Sequence, residues 1–176
     1  MRTAVDHLVR HDHRNIVYLG PSPSVDHVSN DRWQGYEEAM RLAGAQPRRV
    51  DASYDEQLST LAPRLEDLLD GGISAVAAFS DDLAVEFMRF ASMRGIRIGG
   101  SMNAGEIAVV GYDDSEKARL GLTSVRQPVE QIGHHLVIAL QERIRSRERP
   151  YQVILKGDLV VRDSSEPIAT PRPVLS

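Results

Sequence analysis

The sequence predicts an α/β fold: a mainly parallel sheet flanked by helices. Three observations carry this. Apolar runs without polar alternation occur at 15–20, 73–79 and 107–110, as expected of strands covered on both faces. Amphipathic segments of helical period separate them, and strand–helix alternation is the signature of parallel pairing. Each run ends in glycine or a polar loop: Gly20 with Pro21, then Ser80-Asp81-Asp82, then Gly111 followed by Asp113-Asp114-Ser115. Open α/β sheets hold ligands at the carboxyl ends of their strands, so this shared rim is the expected site.

Taken in order, Val5, Leu8 and Val9 stand at helical spacing, so a helix opens the chain. No capping residue precedes it, and the start is expected to cut into an element. His11-Asp12-His13-Arg14 is a polar turn feeding the first strand, and residues 21–30 read as a loop. Asn30 or Asp31 is the expected cap of the next helix. That helix has Trp33, Tyr36, Met40 and Ala43 on one face and Gly44 at its end. Residues 48–53 make a short strand. Leu58, Leu61, Leu65, Leu68 and Leu69 stripe a further helix, in which Pro63 argues for a kink or a late start. The strand at 73–79 leads to a helix from Asp82 to about residue 94, with Leu83, Phe87, Phe90 and Ala91 inward. Residues 97–106 read as a flexible connector, 116–121 as a helical turn and 122–125 as a strand. Pro128 then opens the longest helix, with Val129, Ile132, Leu136, Val137, Leu140 and Ile144 along one side. Arg143, Arg145, Arg147 and Arg149 crowd its end, where positive charge suits the helix dipole. Short strands are expected at 152–155 and 159–161, and a disordered tail at 166–176.

A chain of 176 residues allows one ordinary domain or two small lobes. With 21 basic and 25 acidic residues, it lacks the basic footprint of a nucleic-acid-binding domain. The absence of cysteine excludes disulfides and thiolate metal sites. No apolar stretch approaches a membrane span, and the first residues lack the apolar core of a signal peptide. A cytoplasmic location is therefore expected.

Six stretches occur in a telling order: His7-Leu8 with His13-Arg14-Asn15-Ile16; Arg32-Trp33-Gln34-Gly35-Tyr36; Ser80-Asp81-Asp82-Leu83-Ala84; Val109-Val110-Gly111-Tyr112-Asp113-Asp114; Leu122-Thr123-Ser124-Val125-Arg126-Gln127-Pro128; and Leu159-Val160-Val161-Arg162-Asp163-Ser164-Ser165. Together they resemble the sensor region of lac-repressor-like (LacI/GalR) transcriptional regulators, over nearly the whole chain. The resemblance implies a periplasmic-binding-protein-like type I fold. Residues 1–127 would be its C-terminal lobe, 128–165 the returning helix and strands of an incomplete N-terminal lobe, and 166–176 a flexible tail. It further implies a small effector, a sugar or nucleobase, held between lobes, homodimerisation, and repression through operator DNA. The helix-turn-helix headpiece that would bind DNA is expected to be absent, together with most of the first lobe.

By the same resemblance Arg32 and Asp113 grip polar groups of the effector. Ser80 sits where the family often has asparagine and Asp81 follows it as a further effector contact, Tyr54 lies where an aromatic stacks on the ligand, and Gln127 faces the cleft from a hinge. The pairing of types is physically apt. Arginine offers a fixed fork of donors and a carboxylate two acceptors, which together suit vicinal hydroxyls. An aromatic face covers the apolar side of a sugar or stacks on a base. No catalytic residue, cofactor or metal is expected, and the chain is not read as an enzyme.

Alternatives lie beside this reading. Asp81, Asp82, Asp113 and Asp114 could form a magnesium pocket for phosphoryl transfer, but no suitably placed lysine follows, and Asp82 and Asp114 are expected to cap helices. A periplasmic-type sugar-binding protein is disfavoured by the lack of a signal sequence. His7, His11 and His13 span a helix end and a turn, a spacing poor for one tetrahedral metal site. Finally, the apolar face of the last helix is expected to lack its main partner in this chain, as a large exposed patch.

Overall fold

The computed structural model describes residues 1–100, 105–145 and 152–166. The elements are α1 (Arg2–Arg10), β1 (Ile16–Gly20), α2 (His27–Leu42), β2 (Arg48–Asp51), α3 (Leu58–Asp70), β3 (Ala75–Ala78), α4 (Asp81–Met93), β4 (Arg97–Ile98), β5 (Glu106–Asp113), β6 (Thr123–Arg126), α5 (Val129–Ile144) and β7 (Asp158–Val160). Two 3-10 turns, Glu116–Leu120 and Asp163–Ser165, flank β6 and follow β7. The sheet runs β2-β1-β3-β5-β6-β7, with β4 paired to the start of β5. Every pairing is parallel except β6 with β7. The α/β class with a mainly parallel sheet is therefore as the sequence predicts.

The unalternating runs do what such runs must. All of β1 and β3 and the first six residues of β5 are buried, with helices α2, α3 and α4 contributing Tyr36, Met40, Leu61, Leu65, Phe87 and Phe90 to the covering layers. Tyr36 illustrates how a buried polar tip is satisfied. Its hydroxyl accepts from the Arg48 amide at 2.8 Å and lies 2.9 Å from the Ile16 carbonyl, so it fastens α2 to the β1–β2 pair. Burial pushes its phenol up to about 12.

Several local expectations are corrected. Helix α2 starts earlier than Asn30, because Asp26 is its cap and accepts from the Ser29 amide at 2.7 Å. Helix α4 is capped by Ser80, whose hydroxyl accepts from the Leu83 amide, so Asp82 is a first-turn residue rather than the cap. Asp114 is not a cap either, since Ser115 holds that position for the turn that follows. Helix α3 begins at Leu58 with Pro63 in its second turn, so there is no late start, and the proline leaves the Ser59 carbonyl without its i+4 amide donor. Part of the connector after α4 is the strand β4. Residues 152–155 carry no strand, and the last strand begins at Asp158.

Strand β7 extends the same sheet, and the turn after it is fastened to β5 and β6 by Ser164, which takes the Thr123 amide at 2.8 Å and donates to the Val109 carbonyl at 2.6 Å. Residues 158–165 thus pack against β5 and β6. Helix α5 differs: none of its residues is buried, and Val129, Leu136, Val137, Leu140 and Ile144 stand more than half exposed. The expected tail beyond 166, residues 101–104 of the connector, and Arg147 and Arg149 lie outside the described residues.

Candidate functional site

The chain leaves β1 toward β2 on one side and β3 on the other, and such reversals open a crevice at the carboxyl edge. Arg32, on α2 after β1, reaches across the carboxyl edge of the sheet to the ends of β3 and β5. Its guanidinium donates to the Phe79 carbonyl at 2.5 Å and to Asp113 Oδ1 at 3.0 Å. The same plane lies 4.2 Å from the centre of the Phe79 ring and 4.0 Å from that of Tyr112. Two aromatic faces and an acidic partner thus hold the fork in one orientation, a stronger constraint than the ion pair alone.

Asp113 ends β5 with φ of 110°, a conformation costing a non-glycine residue about 1–3 kcal/mol and persisting where surrounding contacts impose it. Those contacts are evident: Oδ1 accepts from Arg32 and also from Gln127 Nε2 at 2.6 Å. Among the described residues Oδ2 takes no hydrogen bond, which leaves an acceptor beside the guanidinium.

The remaining expected residues divide. Tyr54 packs edge-on against Phe79, with ring centroids 5.0 Å apart, while its hydroxyl bonds to Asp26 and Ser29. The hydrogen bond from Tyr54, joined by the Ser29 amide, holds the Asp26 carboxyl below its usual value. Ser80 sits at the rim but gives its hydroxyl to the α4 cap. Asp81 points inside: it is 1% exposed, with Oδ1 accepting from the Ser124 hydroxyl and Oδ2 from the Ser115 amide, both at 2.6 Å. Burial pushes its pKa up against those bonds. Its place is in the wall of the site.

Asp114, also at positive φ, is clasped at 2.7 Å by both Arg126 and Arg162. Burial would raise its pKa, but the two arginines outweigh that and hold it low. Asp82 pairs with Lys117 on the surface. The four carboxylates of the magnesium reading are therefore committed to different partners, and among the described residues they form no metal-sized cluster. That alternative is not favoured.

The comparison with known proteins decides the family. Residues 5–165 match the periplasmic binding protein-like domain. The chain belongs to that family. A relative, the HTH-type transcriptional regulator CelR of Thermobifida fusca, is 34% identical over 93% of this chain and 48% of its own length. The solved transcriptional regulator CelR–cellobiose complex superposes with a TM-score of 0.78 at 30% identity, covering 93% of this chain and 50% of that one. The lac repressor dimer bound to operator and the anti-inducer ONPF superposes with a TM-score of 0.77 at 26% identity, covering 94% and 49%. The resemblance to lac-repressor-like regulators is thereby borne out, and these relatives are regulators rather than enzymes. The chain spans about half the length of the curated relatives it matches. No helix among the described residues is long and apolar enough to cross a membrane.

Sequence reasoning missed three members of this domain's rim and flank. Phe79 ends an apolar run and reads as core, and Tyr112 is given no role, though an aromatic next to a strand's carboxyl end is a usable signal. Glu166, which approaches His7 and His11, has no sequence signal at all.

Proposed function

We propose that this chain is the effector-sensing portion of a LacI-type transcriptional repressor, and that Arg32 and Asp113 bind a small polyhydroxylated effector at the sheet rim. The observation that carries the reading is the Arg32–Asp113–Gln127 cluster, with Phe79 and Tyr112 stacked on the guanidinium. A fork of donors beside a free carboxylate oxygen matches adjacent hydroxyls, and the aromatic surface matches the apolar face of a sugar ring. Tyr54 extends that surface, and Gln127 offers an amide beside it. Ser80 and Asp81 shape the pocket from behind. The cellobiose bound to the solved relative favours a sugar over a nucleobase.

On this reading α5 belongs with a second lobe that closes over the effector. The full protein is a cytoplasmic homodimer that engages operator DNA through a separate headpiece. Effector binding alters operator affinity by shifting a two-state closure.

The test is a thermal-shift and calorimetric screen of mono- and disaccharides, cellobiose included, against nucleobases, using a protein that carries this chain with both lobes. A saccharide should raise the melting temperature of the parent protein and leave Asp113→Asn unshifted. Saturable binding of a saccharide that Arg32→Ala and Asp113→Asn both retain at parental affinity would overturn the assignment.

A further inference from the structure

At the far end of β6 from the rim, α1 and the last described turn bring three possible ligands together. We propose that His7, His11 and Glu166 form a binding site for one divalent transition-metal ion of the zinc class, with a fourth position open to water.

His7 and His11 are four residues apart, so they face the same way on and just past α1, and their ring centroids are 4.6 Å apart. His11 Nε2 is 3.9 Å from Glu166 Oε1, and one ligand atom from each of the three lies within 4.8 Å of the others. Tetrahedral zinc with nitrogen and oxygen ligands near 2.0–2.1 Å needs ligand separations of about 3.4 Å. The site must therefore contract by about 1 Å. His11 and Glu166 are partly exposed, so side-chain rotation supplies that movement without disturbing the sheet.

A second observation concerns which nitrogen of His7 is available. Ser165 Oγ donates its proton to Thr123 Oγ1 at 2.7 Å, and Thr123 Oγ1 donates in turn to the Arg162 carbonyl at 2.9 Å. With its proton spent, Ser165 Oγ can only accept from His7 Nε2, 2.8 Å away. Nε2 is then the protonated nitrogen and Nδ1 carries the lone pair. A metal-binding histidine characteristically donates its other ring N–H to a fixed acceptor, which sets its tautomer and orientation. Here the acceptor chain is built into the buried end of β6. Two imidazoles and one carboxylate suit zinc and its neighbours, whereas magnesium and calcium prefer oxygen ligands. His13 takes no part, because its ring is wholly buried.

The experiment is calorimetric titration of the chelator-treated 176-residue chain with zinc chloride, with cobalt(II) absorption as a readout of tetrahedral geometry. Zinc should bind at one ion per chain and raise the melting temperature, with magnesium inert. His11→Ala and Glu166→Gln, both at accessible side chains, should each weaken zinc at least tenfold while leaving the metal-free melting temperature unchanged. A His134→Ala/His135→Ala double variant should bind as the parent does. Absence of saturable binding, or parental affinity in both His11→Ala and Glu166→Gln, overturns the site.

Discussion

Asp114→Ala is the most informative stability test of the sheet's carboxyl edge. The side chain is 6% exposed and takes one hydrogen bond from Arg162, itself mostly buried, and one from Arg126, which is mostly exposed. The first is a charge-assisted bond worth about 1.5–3 kcal/mol; the second, screened by water, contributes about 0.5 kcal/mol. Asp114 also has φ of 50°, where alanine costs about 1 kcal/mol more than residues that tolerate the left-handed region. The sum is about 3–4.5 kcal/mol, which for a chain of this size lowers the melting temperature by roughly 6–18 °C. Asp114→Asn keeps the backbone tolerance and one acceptor, so it should cost only about 1–2 kcal/mol. The pH dependence supplies an independent check. The folded pKa of Asp114 is depressed, so its contribution is present above about pH 4, the unfolded value, and is lost as pH falls through the folded one. Asp81, with a raised folded pKa, acts in the opposite sense and is unchanged in the variant. The difference between parent and Asp114→Ala in urea unfolding should therefore shrink on acidification below about pH 4. A melting temperature within about 2 °C of the parent, or equal losses for Ala and Asn, would refute the clasp.

Gly111→Ala should destabilise by about 2–4 kcal/mol in urea unfolding, because its Cβ would fall 2.4 Å from Asp81 Oδ1 and 3.0 Å from a Leu122 methyl. Arg32→Lys should weaken saccharide binding at least tenfold by calorimetry, since lysine cannot span the Phe79 carbonyl and Asp113 as a planar fork. Burial lowers the pKa of both His7 and His13. Their contribution is complete above the unfolded value near 6.5 and is lost as pH falls toward the folded values, so urea midpoints should drop between about pH 7 and pH 5, less steeply in His13→Leu. Leu136→Lys with Leu140→Glu on the exposed face of α5 should cut hydrophobic-dye binding while leaving the melting temperature within about 2 °C of the parent.

What the sequence discloses follows from the range of the interactions involved. The strands were legible because burial on both faces leaves a contiguous apolar run, as in Ile16–Gly20. Arg32 was legible only from a resemblance, and Asp113 also physically, because polar residues just past buried strands gather at one edge. Asp114 was misread as a cap because its partner Arg162 lies 48 residues away, and a local rule cannot see it. Asp81 stands at the same edge, and nothing local says that the Ser115 amide and the Ser124 hydroxyl hold its carboxylate inward. Strand status at 152–155 failed for the complementary reason: those residues have the composition of a strand but no ladder partner among the described residues.

On the proposed reading, the two consecutive aspartates couple an occupied rim to the exit of the chain toward α5. Asp113 holds Gln127 while Asp114 holds Arg126, so the end of β5 grips the last two residues before Pro128, where the chain leaves the sheet for α5. Both aspartates sit at positive φ, on adjacent residues at one strand end. A ligand hydroxyl that competes with Gln127 for Asp113 Oδ1 would therefore act directly on the residue whose carbonyl accepts the Val129 amide at 2.9 Å. Arg126 and Arg162 would meanwhile hold the sheet still. On that reading, coupling of this kind needs no long relay of contacts, because Gln127, which bonds to Asp113, directly precedes Pro128 at the exit of the chain. The stiffness is local to Asp114, held by Arg126 and Arg162, and the freedom to respond is local to Gln127.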